Sequence, residues 1–169
     1  MANKLKYGAF NTRMGWIGVL RGDKGLIRTT LPCRHDDEAL TQLGKGIEES
    51  VWSPDFFTDL RERLTAYFEG TKVGFADELD FTSGTSFQQA VWRMTQLIPY
   101  GETRSYKWVS EAVGKAGAAR AVGQALHQNP LPIIVPCHRV IASNRSLCGF
   151  GGGLAMKRAL LHLENPAVY

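Results

Sequence analysis

The chain has 169 residues, a formal net charge of +4 and only three cysteines. Its apolar (44%) and charged (21%) fractions are those of an ordinary globular protein, which excludes a disordered chain and, with no Gly-X-Y period, a collagen-like one. No stretch approaches the roughly 20 apolar residues that cross a bilayer. The lysines among the first six residues are not followed by the apolar run of a secretory signal. Cys33, Cys137 and Cys148 are too few and too scattered for a disulfide framework. A reduced cytoplasmic compartment and no membrane partner are therefore expected.

The first half is predicted to be a small α/β unit. Lys4–Phe10, Trp16–Leu20 and Leu26–Leu31 have strand character, and Arg21-Gly-Asp-Lys-Gly25 supplies turn residues between the last two. Ser53 is placed to cap a helix with Pro54 at its first position and Gly70 just past its end. Phe57, Leu60, Leu64 and Phe68 mark its inward face. Phe75–Phe81 returns as an extended segment. Cys33 and His35 have no second ligand pair near them, so zinc is not expected. Ser83-Gly84-Thr85 is the predicted boundary, dividing the chain into domains 1–84 and 85–169.

Charge divides with the domains. Residues 1–85 carry 11 Lys/Arg against 13 Asp/Glu, whereas residues 86–169 carry 9 against 3. That asymmetry suits a second half that faces a polyanion. It opens with a capping box from Thr85 or Ser86 to Gln88 or Gln89. The helix that follows places Phe87, Ala90, Val91, Met94 and Leu97 on one face and stops before Pro99-Tyr100-Gly101. Two short helices come next, about Ser105–Val113 and Ala118–Gln128, joined by the four-residue turn Gly114-Lys-Ala-Gly117. The arrangement is that of a helix-turn-helix in a mainly α domain. Ala121, Val122, Ala125 and Leu126 are assigned inward. The second helix is rich in small residues and has Arg120 free to reach bases or phosphates; helix-on-helix packing would suit the small residues equally well.

Asn129-Pro-Leu-Pro-Ile-Ile-Val-Pro-Cys137-His-Arg-Val140 is the most unusual stretch. Pro130 ends the preceding helix, and Ile133-Ile134-Val135 should be buried. Cys137 follows, beside His138, where an imidazole can help hold a thiol partly as the nucleophilic thiolate. Cys33 and Cys148 lack such surroundings and are assigned as small buried hydrophobes. A last helix, about Gly153–Leu163, carries Met156, Ala159, Leu160 and Leu163 inward and ends at Glu164, a carboxylate at the end a helix dipole disfavours.

Pro136-Cys137-His138-Arg139-Val140 resembles the signature of the O6-alkylguanine-DNA alkyltransferases, direct-reversal DNA repair proteins. The resemblance extends through Phe87-Gln-Gln-Ala-Val-Trp92, Pro99-Tyr-Gly-Glu-Thr103, Ala118-Ala-Arg-Ala-Val-Gly123, Asn129-Pro130, Gly149-Phe150-x-Gly-Gly153 and Leu160-Leu-x-Leu-Glu164. It implies a ribonuclease-H-like first domain and a second domain whose recognition helix enters the minor groove of double-stranded DNA. It also implies flipping of the damaged guanine and transfer of its alkyl group to Cys137, once per molecule and without metal or cofactor. His138 would take the thiol proton, Glu164 would orient the imidazole, and Tyr106 would assist the flip and donate to the departing guanine. Asn129 would tie the helix pair to the active-site segment. Arg120, with Ala119, Ala121 and Gly123, would meet DNA. Val140, Gly151, Phe150 and Pro132 would line the substrate pocket, with the carbonyls of Cys137 and Val140 and the amide of Gly151 reading the base. An O4-alkylthymine adduct, a monomer in solution and cooperative assembly on DNA belong to the same expectation. The competing reading is a non-catalytic, lesion-sensing alkyltransferase-like protein, against which Cys137 stands. In one place the chain departs from the pattern: Ser143-Asn144-Arg145-Ser146 lies where the family commonly has a turn glycine, so Arg145 either strains the loop or adds a phosphate contact.

Overall fold

In the computed structural model, which describes residues 5–169, the chain divides into a first unit ending at Phe81 and a second running from Thr82 to Tyr169. The predicted strand start at Lys4 lies outside the described residues. In the first unit, β1 (Lys6–Thr12), β2 (Gly15–Gly22) and β3 (Gly25–Thr29) form an antiparallel meander. The two-residue connections keep successive strands adjacent. Gly25, at φ +137°, opens β3 where the Glu78 carbonyl would meet any Cβ at 2.3 Å, because Leu26 exchanges backbone hydrogen bonds with Glu78 and Asp80. The predicted extended return of 75–81 is thus a single parallel bridge, Leu26 to Leu79, and not a strand.

Two elements of the first unit have no local signature in the sequence. Helix α1 (Asp36–Leu43) buries only Ala39 and Leu43, and β4 (Val51–Trp52) pairs parallel to β1 as an exposed edge. The sheet order is β3-β2-β1-β4. Ser53 makes no capping hydrogen bond; Pro54–Phe57 forms a 3₁₀ turn, and α2 (Thr58–Phe68) begins only after it. The predicted face of Phe57, Leu60, Leu64 and Phe68 is buried, joined by Tyr67.

The second unit opens with α3 (Ser86–Gln96), capped by a reciprocal Thr85–Gln88 box. Its buried face is Val91, Trp92 and Thr95; Leu97, predicted inward, is 71% exposed. The face turns because the Trp92 indole N–H must be satisfied when buried, and it donates to the Ala125 carbonyl at 2.8 Å. Strand β5 (Arg104–Ser105) leads into α4 (Tyr106–Ala112), where the Ser105 hydroxyl accepts from the Trp108 amide. Gly114 and Gly117, at φ +72° and +83°, turn the chain into α5 (Ala119–His127). Val122, Ala125 and Leu126 are buried there, whereas Ala121, assigned inward, is exposed. A 3₁₀ turn at Cys137–Arg139 precedes β6 (Val140–Ile141), which pairs parallel to β5. Helix α6 (Leu154–Glu164) buries Lys157, Leu160, Leu161 and Glu164, a face shifted from the predicted one so that Ala159 is exposed. Among the described residues, a small mixed sheet, a two-stranded parallel sheet and six α-helices make an α/β fold. Among the described residues no helix is long and apolar enough to cross a membrane.

Candidate active site

The segment from Asn129 to Val140 folds on its own polar groups. The Asn129 amide donates to the Val135 carbonyl at 2.9 Å, and its side-chain oxygen accepts from the Leu131 amide. Val135 in turn donates to Leu131, and Cys137 to Val135, each at 2.8 Å. This knot holds Ile133 at φ +73°, a conformation a β-branched residue adopts only when its surroundings over-determine it. Ile133, Ile134 and Val135 are buried as predicted, and that burial supplies the constraint. Asn129, at the C-terminal end of α5, is thereby bound to the backbone that presents Cys137.

Cys137 and His138 are both buried, the latter completely. His138 Nε2 lies 2.7 Å from Glu164 Oε1, which brings together two residues 26 positions apart. Glu164 is saturated. Its Oε1 also accepts from Arg139 Nη2 at 3.0 Å, and its Oε2 accepts from Arg139 Nε at 2.8 Å and from the Gly101 amide at 3.1 Å. Four donors match the four lone-pair directions of a carboxylate, so Glu164 is ionised: hydrogen bonds and the charges of its partners overcome its burial and hold it far below the usual carboxylate range. An ionised Glu164 can only accept, so Nε2 of neutral His138 carries the proton and Nδ1, also buried, presents a lone pair.

Burial is the largest influence on both working groups. It pushes the Cys137 thiol up, against the opposing effects of an Asn129 hydrogen bond and the Lys157 charge, and it pulls His138 down. Near pH 7 the pair rests as thiol and neutral imidazole. The thiolate expected from the Cys-His neighbourhood is therefore disfavoured at rest, because desolvation penalises the anion more than the neighbours favour it.

Two side chains that the sequence reading left without a role complete the site. Arg139 is buried, donates from Nη1 to the Ile98 carbonyl at 2.7 Å, and lies over the Tyr100 ring at 5.8 Å. Its forked geometry is what neutralising a buried carboxylate requires. Lys157 is 1% exposed. It donates to the carbonyls of Val140 at 2.7 Å and Cys148 at 3.1 Å, and to the Tyr106 hydroxyl at 3.4 Å. The signal for Lys157 was its register: it stands three, four and seven positions before Leu160, Leu161 and Glu164, on their face of α6.

The remaining predicted residues fall as follows. Tyr106 is half-buried at the start of α4; burial pushes its hydroxyl up to about 12, so it stays protonated. A Cβ on Gly123 would lie 3.9 Å from the Tyr106 ring, which places that ring against α5. Arg120 and Ala121 are exposed, while Ala119 and Gly123 are half-buried, all on α5. Val140 is buried, with its carbonyl engaged by Lys157; Pro132 and Phe150 are half-buried, and Gly151 is exposed with open space where a Cβ would stand. Cys148 is exposed, not the buried hydrophobe expected.

Arg145 adopts φ +66° in the turn where Arg145 N donates to Ala142 O and Ala142 N to Ser146 O. The left-handed region costs a residue with a side chain roughly 1–2 kcal/mol. Arg145→Gly is therefore expected to stabilise the folded chain by about 1 kcal/mol after the glycine entropy cost, raising Tm by ~2–4 °C. Calorimetry checks this; an unchanged or lower Tm would mean that the Arg145 side chain contributes more than its backbone costs.

A buried thiol, a neutral imidazole and an ionised carboxylate are the groups that alkyl-acceptor or acyl-transfer chemistry uses, and family comparison decides the class. Residues 86–166 match the family model for the DNA-binding domain of 6-O-methylguanine DNA methyltransferase, so the second unit is of that DNA-binding class. The methylated-DNA–protein-cysteine methyltransferase of Mycobacterium tuberculosis is 53% identical over 115 residues, 67% of this chain and 69% of that protein. The chain belongs to the methylated-DNA–protein-cysteine methyltransferase family. The Mycobacterium leprae member is 53% identical over 119 residues, 69% of this chain and 72% of that protein. The crystal structure of Mycobacterium tuberculosis OGT in complex with DNA matches with a TM-score of 0.81 at 39% identity, covering 95% of this chain and 93% of that one.

Proposed function

We propose that this protein repairs double-stranded DNA by moving the alkyl group of a flipped O6-alkylguanine irreversibly onto Cys137. The observation that carries the reading is the buried Cys137, next to a neutral His138 whose Nε2 is held 2.7 Å from a saturated Glu164. The Cys137 sulfur attacks the alkyl carbon in line, the S–C bond forms, and the C–O6 bond breaks. The thiol proton passes to His138 Nδ1, through a water, and is returned to the departing guanine. Tyr106 donates a hydrogen bond to that guanine, for which its protonated hydroxyl suits it. The thioether formed on Cys137 is chemically stable and is not cleaved by a thiol, which makes the reaction single-turnover, and the displacement needs no metal or cofactor.

The first unit serves as a structural, ribonuclease-H-like domain, and residues 85–169 carry both DNA binding and transfer. In that reading α4 and α5 form a helix-turn-helix. The small residues of α5, with Ala121 exposed and Ala119 and Gly123 half-buried, enter the minor groove, and Arg120 fills the gap left by the flipped base. Gly151, Phe150 and Pro132 line the pocket. The Val140 carbonyl has a second lone pair for the base beside the one Lys157 uses. The protein acts in the cytoplasm, on the nucleoid.

The test is the intact mass after incubation with a duplex holding one O6-methylguanine. One added methyl per molecule, absent in Cys137→Ala, is expected. Tight binding with no mass gain would instead establish a lesion sensor, and more than one methyl removed per molecule would exclude a single-turnover acceptor.

A further inference from the structure

We propose that Lys157 is a positioning residue for the transfer, a buried cation that serves as the counter-charge for the anionic sulfur Cys137 becomes as it reacts. The inference rests on Cys137 being the nucleophile. Lys157 is almost wholly buried, yet its three acceptors, two backbone carbonyls and a phenol, are all neutral. Among the described residues no carboxylate pairs with it. A desolvated ammonium without a counter-ion is costly, and a methionine of similar length would fill the same space without that cost.

The other charges of the site are already matched. Glu164, the carboxylate of the site, is saturated by Arg139, His138 and Gly101, so Arg139 answers the carboxylate and Lys157 is left over. Groups that can become anionic and feel the Lys157 charge come from three elements: Cys137 from the 3₁₀ turn, which runs directly into the Val140 carbonyl that Lys157 holds; Tyr106 from α4, whose hydroxyl it touches; and Cys148 from the loop before α6, whose carbonyl it holds. Burial keeps Tyr106 protonated to about 12. Cys148 is exposed, where water answers its charge without help. Cys137 remains, in low dielectric, where a nearby cation acts most strongly. The same charge that favours its thiolate disfavours a protonated His138, which keeps the imidazole neutral at rest. Lys157 also joins Val140 to Cys148, so the side chain that serves the sulfur also braces the loop running to Gly153.

The experiment labels the full-length protein with iodoacetamide between pH 6 and 10 and reads each cysteine from its peptide mass. Lys157→Met is expected to move the half-labelling pH of Cys137 up by about one unit, about tenfold slower labelling at a given pH below it. Cys148 should move less, and a cooperative melt and duplex binding should remain. Lys157→Gln, which keeps hydrogen-bond donors but loses the charge, should shift Cys137 in the same direction. A Cys137 profile that stays put in a folded, DNA-binding variant overturns the proposal. Should neither variant fold, the Lys157 amine is titrated by NMR in the unsubstituted protein and in Cys137→Ala: a lower titration point in the variant supports the pairing, and an identical one overturns it. If Cys137 were not the nucleophile, the methyl in the duplex assay would map to another peptide, an outcome separate from either profile.

Discussion

Arg139→Met is expected to destabilise the second unit by about 3–5 kcal/mol, the range for removing one partner of a buried ion pair. The substitution removes three hydrogen bonds to buried acceptors: two to Glu164 and one to the Ile98 carbonyl. Glu164 would then lose two charged donors and keep those from His138 and the Gly101 amide. A second readout separates this site effect from general damage. The Arg139 charge opposes protonation of His138, so without it the imidazole holds a proton to higher pH. The acid limb of the single-turnover pH–rate profile should therefore move upward in Arg139→Met. Arg139→Lys, which keeps the charge but loses the fork, should restore the limb more fully than the stability. Urea unfolding and stopped methyl transfer measure the two; a stability loss below about 1 kcal/mol would show that the carboxylate is hydrated.

Acid should unfold the same unit in two stages, and the signs follow from the two shifts. His138 is held below its ordinary value by burial. Its contribution is therefore complete above the unfolded imidazole value of about 6.5 and declines as pH falls toward the folded one. Glu164 is likewise depressed, so its contribution is complete above about 4.3, the unfolded glutamate value, and is lost below it. Both act in one direction. Tm should begin to fall near pH 6.5 and fall more steeply below about 4.3. Glu164→Gln should be less stable at pH 7 and should lack the steeper limb. A wild-type Tm that is level from pH 7 to 4 would contradict this assignment.

The parts of the fold that were legible in the sequence are those with a local signature. The β1–β2–β3 meander follows from short alternating runs divided by turn residues, and the Thr85–Gln88 box marks the start of α3 within a residue. Helix α1 was missed because its eight residues bury only two side chains, too few for a periodic face. Periodicity names a stripe but not the partner that fixes its rotation. On α3 the Trp92 bond to Ala125, 33 positions away, turned Leu97 out to solvent. On α6 the polar anchors Lys157 and Glu164 turned Ala159 outward.

The amino-acid order by itself determined the elements that carry a local signature, the two-part organisation, the basic second half and the Cys137-His138 pair with Glu164 downstream, because each is written in neighbours or in a resemblance along the chain. Only the tertiary structure decided how charge is distributed in the site. Arg139 saturates Glu164 across 25 residues, Lys157 stands buried with neutral acceptors drawn from 9 to 51 residues away, and Cys137 rests as a thiol. Protonation depends on burial and on which charges lie nearby in space, and neither quantity is a property of adjacent residues.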